Sequence, residues 1–205
     1  MAFLGVKIVP EVARMFRNID VPGKKEPENE YHITVVCFDA DWPLKHVAKA
    51  MQATYEVLQD IAPFYVKSKK VTCFPKREDN PVPIIAAIDS DELHDLNKKL
   101  KKAFDKNNIG YMKNFKDFKP HMTLSFAQDE IKDIKIDPVE FYVHELILWA
   151  GDNGDDRLFI TFPLKGVEKN KHAYVIQYAD VFYKLAQKDP NSVFTSSVER
   201  RLTTR

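Results

Sequence analysis

Two stretches decide how this sequence folds: His32-Ile33-Thr34-Val35-Val36-Cys37-Phe38 and His121-Met122-Thr123-Leu124-Ser125-Phe126. Both are rich in β-branched and apolar residues, and both read as strands. In a strand, residues i and i+2 share a face. Each His therefore projects beside its own Thr. Two such strands facing each other put two imidazoles and two hydroxyls around one cleft. Only six His occur in 205 residues, so two His-x-Thr matches on strands exceed what chance supplies.

Working outward, Ala2 to Val9 reads as a strand, and Pro10 opens a short helix through Ile19. The Pro/Gly/charge-rich stretch from Asp20 to Glu30 is a loop. Asp41-Trp42-Pro43 opens a helix in which Val47, Met51, Tyr55 and Leu58 recur at helical spacing. Tyr65 to Phe74 is a strand, and Ile84 to Ile88 is a short apolar run suited to a buried one. Ser90 starts a second long helix through Leu93, Leu96, Leu100 and Phe104, and Asn107-Asn108-Ile109-Gly110 ends it. Phe141 to Trp149 alternates as one strand. Gly151-Asp152-Asn153-Gly154 turns the chain into a hairpin partner at Arg157 to Phe162. Beyond Gly166 the character changes: Ala173 to Lys188 reads as a helix and the remainder is polar. The order is β-α-β-α-β-β-α-β-β-β, with one His-x-Thr strand and one long helix in each half. That hints at internal duplication. Residues 1–165 form one domain and 166–205 a helical extension, which could serve homo-oligomerisation.

Lys plus Arg total 31 and Asp plus Glu 30, a net charge of +1, and 44% of residues are hydrophobic. The chain can bury a core, and it lacks the basic excess of a bulk polyanion binder. Cys37 and Cys73 are the only cysteines, so neither a disulfide framework nor a Cys-rich zinc site is available, and two thiols fit a reducing, cytoplasmic setting. No stretch has signal-peptide or membrane-spanning character. The acidic turn at 151–156 lacks calcium-loop spacing. His46, His94, His144 and His172 have no partner at ligand spacing. The expectation is therefore no metal and no cofactor.

The two imidazoles suit phosphodiester chemistry. Imidazole titrates near neutrality, so one His can act as base on the attacking oxygen and the other as acid on the leaving oxygen. The Thr hydroxyls can hydrogen-bond non-bridging phosphate oxygens and hold phosphorus in line.

His32-Ile33-Thr34-Val35 and Phe118-Lys119-Pro120-His121-Met122-Thr123-Leu124 resemble the two signatures of the 2H phosphoesterase superfamily. Its members include LigT-type RNA 2′,3′-cyclic phosphodiesterases, nucleotide cyclic phosphodiesterases, 2′,5′-oligoadenylate phosphodiesterases and phage enzymes that degrade cyclic-nucleotide immune signals. The resemblance covers residues 1 to 165. It implies an α+β, bilobal fold of two pseudo-symmetric antiparallel sheets with outer helices and a central cleft. It also implies His32 and His121 as the acid/base pair and Thr34 and Thr123 as phosphate holders. The implied activity is metal-independent cleavage of a 2′,3′-cyclic phosphate, a 2′-5′ linkage or a cyclic oligonucleotide signal, and near-neutral charge favours a small nucleotide or short oligonucleotide over long RNA. A non-catalytic module that binds RNA ends or a nucleotide in the same cleft is the competing reading.

Four further residues are candidates for substrate binding. Phe115, Phe118 and Lys119 mix rings with cations just before the second motif, a way to hold a nucleotide, or the rings anchor the loop to the core. Trp149, at a strand end, stacks a base or packs the hairpin. Tyr31 lies on the strand face opposite His32 and reads as packing. The Lys67–Lys70 and Lys98–Lys102 runs are charge clusters, the second on a solvated helix face.

Overall fold

The computed structural model describes residues 2–38, 44–113, 117–150 and 158–165. In chain order the elements are β1 (Ala2–Lys7), α1 (Pro10–Arg17), β2 (Lys24–Lys25), a 3-10 turn (Glu28–Glu30), β3 (His32–Phe38), α2 (Leu44–Leu58), β4 (Phe64–Cys73), β5 (Val82–Asp89), α3 (Asp91–Lys106), β6 (His121–Ala127), β7 (Ile134–Val143), β8 (Glu145–Ala150) and β9 (Leu158–Pro163). The 166–205 extension, its helix at Ala173–Lys188, Phe115, and the turns at 41–43 and 151–154 lie outside the described residues.

The strands form two antiparallel sheets. One has the order β3-β1-β8-β9 and the other β2-β6-β5-β4-β7. The fold is α+β and bilobal, as the two signatures imply. The first signature strand, β3, is the edge of its sheet. In the second sheet, β2 covers only Ser125 and Phe126 of β6. This leaves the His121 end of β6 open, and β3 and β6 approach each other across the two sheets.

Local chemistry explains most boundaries. Pro10 opens α1, where its missing N–H is no loss. Ser90 caps α3 by accepting a hydrogen bond from the Leu93 amide, 3.1 Å. At the other end of α3 the left-handed residue is Asn108, with φ 52°, rather than Gly110. The Ile109 amide donates to the Phe104 carbonyl at 2.9 Å and the Asn108 amide to that of Asp105 at 3.2 Å. These two bonds satisfy the last carbonyls of the helix, and Ile109 packs down where Phe104 is buried.

Three sequence expectations are corrected. The alternation from Phe141 to Trp149 predicts one strand, but the chain makes two, β7 and β8, in different sheets. The buried set passes from odd positions (Phe141, Val143) to both faces of β8 (Leu146, Ile147, Leu148, Trp149) across His144. Second, β7 begins at Ile134 and contains Pro138, which an edge strand tolerates because its outer N–H is not needed for a ladder. Third, the 20–30 loop contains β2. Gly23, with φ +88°, lets the chain lie against β6; a Cβ there would sit 2.1 Å from the Phe126 carbonyl oxygen.

The main core runs through both lobes and includes Leu4, Phe16, Ile33, Phe38, Met51, Ile84, Leu100, Phe104, Met122 and Phe162. Each fully buried side chain of this size contributes about 1.5–3 kcal/mol. A separate cluster of Phe3, Ile147 and Trp149 lies on the other face of the four-stranded sheet.

Candidate active site

The two signature strands are built alike. His32 and Thr34 are half-buried around a fully buried Ile33, and His121 and Thr123 are half-buried around a fully buried Met122. Each strand then carries one residue more than its neighbour. Gly5 pairs with Thr34 and Leu4 with Val36, so Val35 is extra. Ile85 pairs with Thr123 and Ile84 with Ser125, so Leu124 is extra. A bulge of this kind flips the side-chain parity, which is why Val35-Val36 and Leu124-Ser125 are both consecutive buried pairs. The bulge turns His and Thr to the cleft while the rest of the strand keeps its apolar side on the core. The carbonyl of each extra residue has a donor: Asn97 Nδ2 donates to Val35 at 2.6 Å, and the Glu26 amide to Leu124 at 2.9 Å.

The imidazoles are oriented identically. Nδ1–H of His32 donates to the Glu30 carbonyl and Nδ1–H of His121 to the Lys119 carbonyl, each at 2.7 Å and each two residues upstream. With a carbonyl as partner, Nδ1 must carry the hydrogen in the neutral ring. Nε2 is then the atom that takes up and releases a proton. The ladders extend identically as well: the Ile8 amide donates to the Tyr31 carbonyl at 3.1 Å and the Ile88 amide to the Pro120 carbonyl at 3.0 Å.

The surroundings differ. His32 stacks face to face on Phe3, with ring centroids 4.4 Å apart and planes at 21°, and lies 5.3 Å from Trp149. Gly5 makes room for this stack: a Cβ on it would meet the Ile33 carbonyl oxygen at 2.5 Å and the Phe3 ring at 3.1 Å. His121 meets Phe74 edge to face at 4.7 Å. Burial pushes the His121 imidazole below its ordinary pKa; the Lys119 carbonyl opposes this, and the charge of His32 adds to it. His32 stands close enough for its charge to act on His121, and the strands that carry them approach each other.

The remaining candidates fare differently. The Lys119 carbonyl orients His121, and its side chain is exposed. Phe118 is half-buried against the core, with its ring 5.4 Å from His94. Trp149 is 5% exposed, in contact range of Phe3 and His32. A ring so enclosed offers no open face to a base, so Trp149 supports His32 instead. Tyr31 is buried, as its strand face predicts. Phe3, Gly5, Phe74 and Asn97 were not legible as site residues. Only Gly5 carries a readable signal, since glycine inside a strand marks a bulge or a close approach.

The cations of β4 are matched by acids: Lys67 pairs with Glu140, Lys69 with Asp89 at 3.4 Å and Lys70 with Asp133 at 2.8 Å. Among the described residues no group of three or more His, Cys, Asp and Glu could hold a metal ion, and no helix is long and apolar enough to cross a membrane.

Two antiparallel sheets with a few helices, each sheet carrying one His-x-Thr strand, match the LigT-like 2H phosphoesterase fold. The profile of the 2′-5′ RNA ligase superfamily matches residues 22–155, and the chain belongs to that superfamily. The structure is similar to TT0787 of Thermus thermophilus, with a TM-score of 0.68 and 17% identity over 82% of this chain and 99% of that one. It is also similar to E. coli LigT in its apo form, with a TM-score of 0.52 and 15% identity over 80% of this chain and 94% of that one. A structure of LigT complexed with 3′-AMP aligns with a TM-score of 0.51 and 17% identity over the same shares. No curated protein matches the chain.

Proposed function

We propose that this protein is a metal-independent phosphodiesterase that acts on a small nucleotide or short oligonucleotide through His32 and His121, with Thr34 and Thr123 holding the phosphate. The observation that carries the reading is the matched pair of imidazoles, each locked by an Nδ1–H bond to a carbonyl two residues upstream. Two such groups supply both proton transfers of the reaction. Membership of a superfamily of phosphoesterases and ligases, and a relative whose structure holds 3′-AMP, support a nucleotide substrate.

With a 2′,3′-cyclic phosphate, water attacks phosphorus and loses a proton to one imidazole. The bond from phosphorus to one ribose oxygen breaks, and that oxygen takes a proton from the other imidazolium. We assign the base to His121, because burial favours its neutral form. The acid is His32, because the faces of Phe3 and Trp149 favour a cation beside them. With a 2′-5′ or 3′-5′ bond, a neighbouring ribose hydroxyl replaces water and the product is a cyclic phosphate. Cys37 and Cys73 form no disulfide, which suits a cytoplasmic setting.

The test is a panel of 2′,3′-cyclic nucleotides, 2′,5′-oligoadenylate and cyclic di- and trinucleotides, assayed with the full chain and with His32→Ala and His121→Ala. Turnover of one class that both substitutions abolish supports the reading. Tight nucleotide binding with no product from any member would favour the binding-module alternative.

A further inference from the structure

The two imidazoles are held by carbonyls of unequal rigidity. Each Nδ1–H donates at 2.7 Å to the carbonyl two residues upstream, that of Glu30 for His32 and of Lys119 for His121. The residue between carbonyl and imidazole is Pro120 in the second motif and Tyr31 in the first. A proline holds its own φ at about −65° and confines the residue before it to extended backbone. The chain itself therefore fixes the Lys119 carbonyl. Tyr31 imposes neither limit. Glu30 instead ends the 3-10 turn Glu28–Glu30, and Pro27, at its N-terminal cap, gives it no side-chain hydrogen bond. The Glu30 amide donates to the Pro27 carbonyl at 2.9 Å and the Tyr31 amide to the Glu28 carbonyl at 3.2 Å. Bonds of this type are poorly aligned, so they hold a short turn weakly.

This turn is tied to α1. Glu28 forms an ion pair with Arg17, in the last turn of that helix. Three residues before Glu28, Lys25 donates from Nζ to the carbonyls of Arg17 and Ile19, each at 3.2 Å, so the chain meets the same helix end on its way to the turn. The helix is a firm post, because Val12, Ala13 and Phe16 are buried. Tyr31 is buried as well. Burial raises the pKa of its hydroxyl, the Glu28 carboxylate adds to this and Arg17 opposes it. The ion pair thus stands near the residue that joins Glu30 to His32.

We propose that Arg17 and Glu28 are positioning residues for His32: their ion pair does for the Glu30 carbonyl what Pro120 does for the Lys119 carbonyl. The effect on rate rests on the phosphodiesterase reading, whereas the effect on the imidazole does not. The two side chains are 66% and 25% exposed, so the pair adds little to the stability of the fold. It keeps the Glu30 carbonyl on Nδ1, and with it the tautomer that leaves Nε2 to take up and release the proton. His121 is independent of it.

The test uses full-length Arg17→Met, Glu28→Ala, the double variant and Arg17→Lys, on the substrate that the panel above selects. Each single change should lower kcat, by up to about fivefold, with KM and the denaturant midpoint held. The double variant should lose no more than either single one, and Arg17→Lys should keep most of the rate. Nitrogen-15 spectra of the neutral rings should show His32 moving toward the other tautomer while His121 stays. Unchanged kcat and unmoved His32 nitrogens in both single variants overturn the proposal, as does a shift of His32 and His121 together. If the wild type turns over no member of the panel, the phosphodiesterase reading fails on its own, and the spectra decide: His32 moving alone sustains the positioning role, and unmoved His32 nitrogens overturn it.

Discussion

The Asn97 side chain, on α3, donates a hydrogen bond to the Val35 carbonyl at 2.6 Å, where β3 carries one residue more than β1. Asn97 is 4% exposed, so removing its amide leaves a buried carbonyl without that donor. Asn97→Ala should cost about 1–3 kcal/mol, read as a lower denaturant midpoint with an unchanged slope. Because the bulge sets the direction of His32 and Thr34, kcat should fall as well. A variant as stable as wild type would show that Asn97 does not hold the bulge.

Gly5 is the second support. A methyl group there meets a backbone oxygen at 2.5 Å and the Phe3 ring at 3.1 Å, and the backbone atom cannot rotate away. Gly5→Ala should shift β1 against β3 and disturb the Phe3–His32 stack. Expected readouts are a loss of about 1–3 kcal/mol, as for other overpacked sites, and displaced His32 ring resonances in the NMR spectrum. Wild-type resonances and stability together would contradict the close approach.

Phe3→Leu keeps the volume roughly but removes the aromatic face under His32. The His32 ring resonances should move in the variant, because they lose the ring current of the stacked Phe3, and kcat/KM should fall while a second aromatic, Phe3→Tyr, restores both. Unmoved resonances and unchanged kcat/KM in Phe3→Leu would show that the stack does not position His32.

The pH profile itself follows from the His121 environment. As the base, His121 must be neutral, and its pKa lies below the ordinary 6.5. The acidic limb of kcat/KM should therefore fall below pH 6.5, with a second limb where His32 loses its proton, giving a bell. Linkage has a matching sign: the unfolded chain takes up the proton first, so stability falls as pH drops through 6.5 and levels off below the folded pKa. His121→Gln removes this component. An acidic limb above 6.5 would contradict the assignment of the base.

A chelator should leave the rate unchanged, because the two imidazoles supply both proton transfers. Loss of turnover in EDTA, restored by a divalent cation, would overturn the metal-independent scheme.

The two His-x-Thr strands, their shared faces and the helices between them were legible because they depend on local rules: alternation, capping and helical spacing. The resemblance of the two passages to the superfamily signatures implied two lobes around one cleft. The junction at His144 was not legible, since an apolar run reads the same whether a strand continues or passes into a second sheet. Nor were Phe3 and Phe74 legible as neighbours of the site, because each reaches it through register between strands distant in sequence. Trp149 was legible as a ring near the site, but only packing decided that it backs His32.

The sequence by itself therefore determined which groups stand side by side: two imidazoles and two hydroxyls at fixed i, i+2 spacing, which the strand period alone turns to one side. Tertiary structure decided how they are held. It placed the bulges at Val35 and Leu124, the carbonyls that fix each Nδ1, and the unequal surroundings of His32 and His121. Those depend on which strands pair and in what register, and register is set by burial over the whole sheet rather than by any residue's neighbours in the chain.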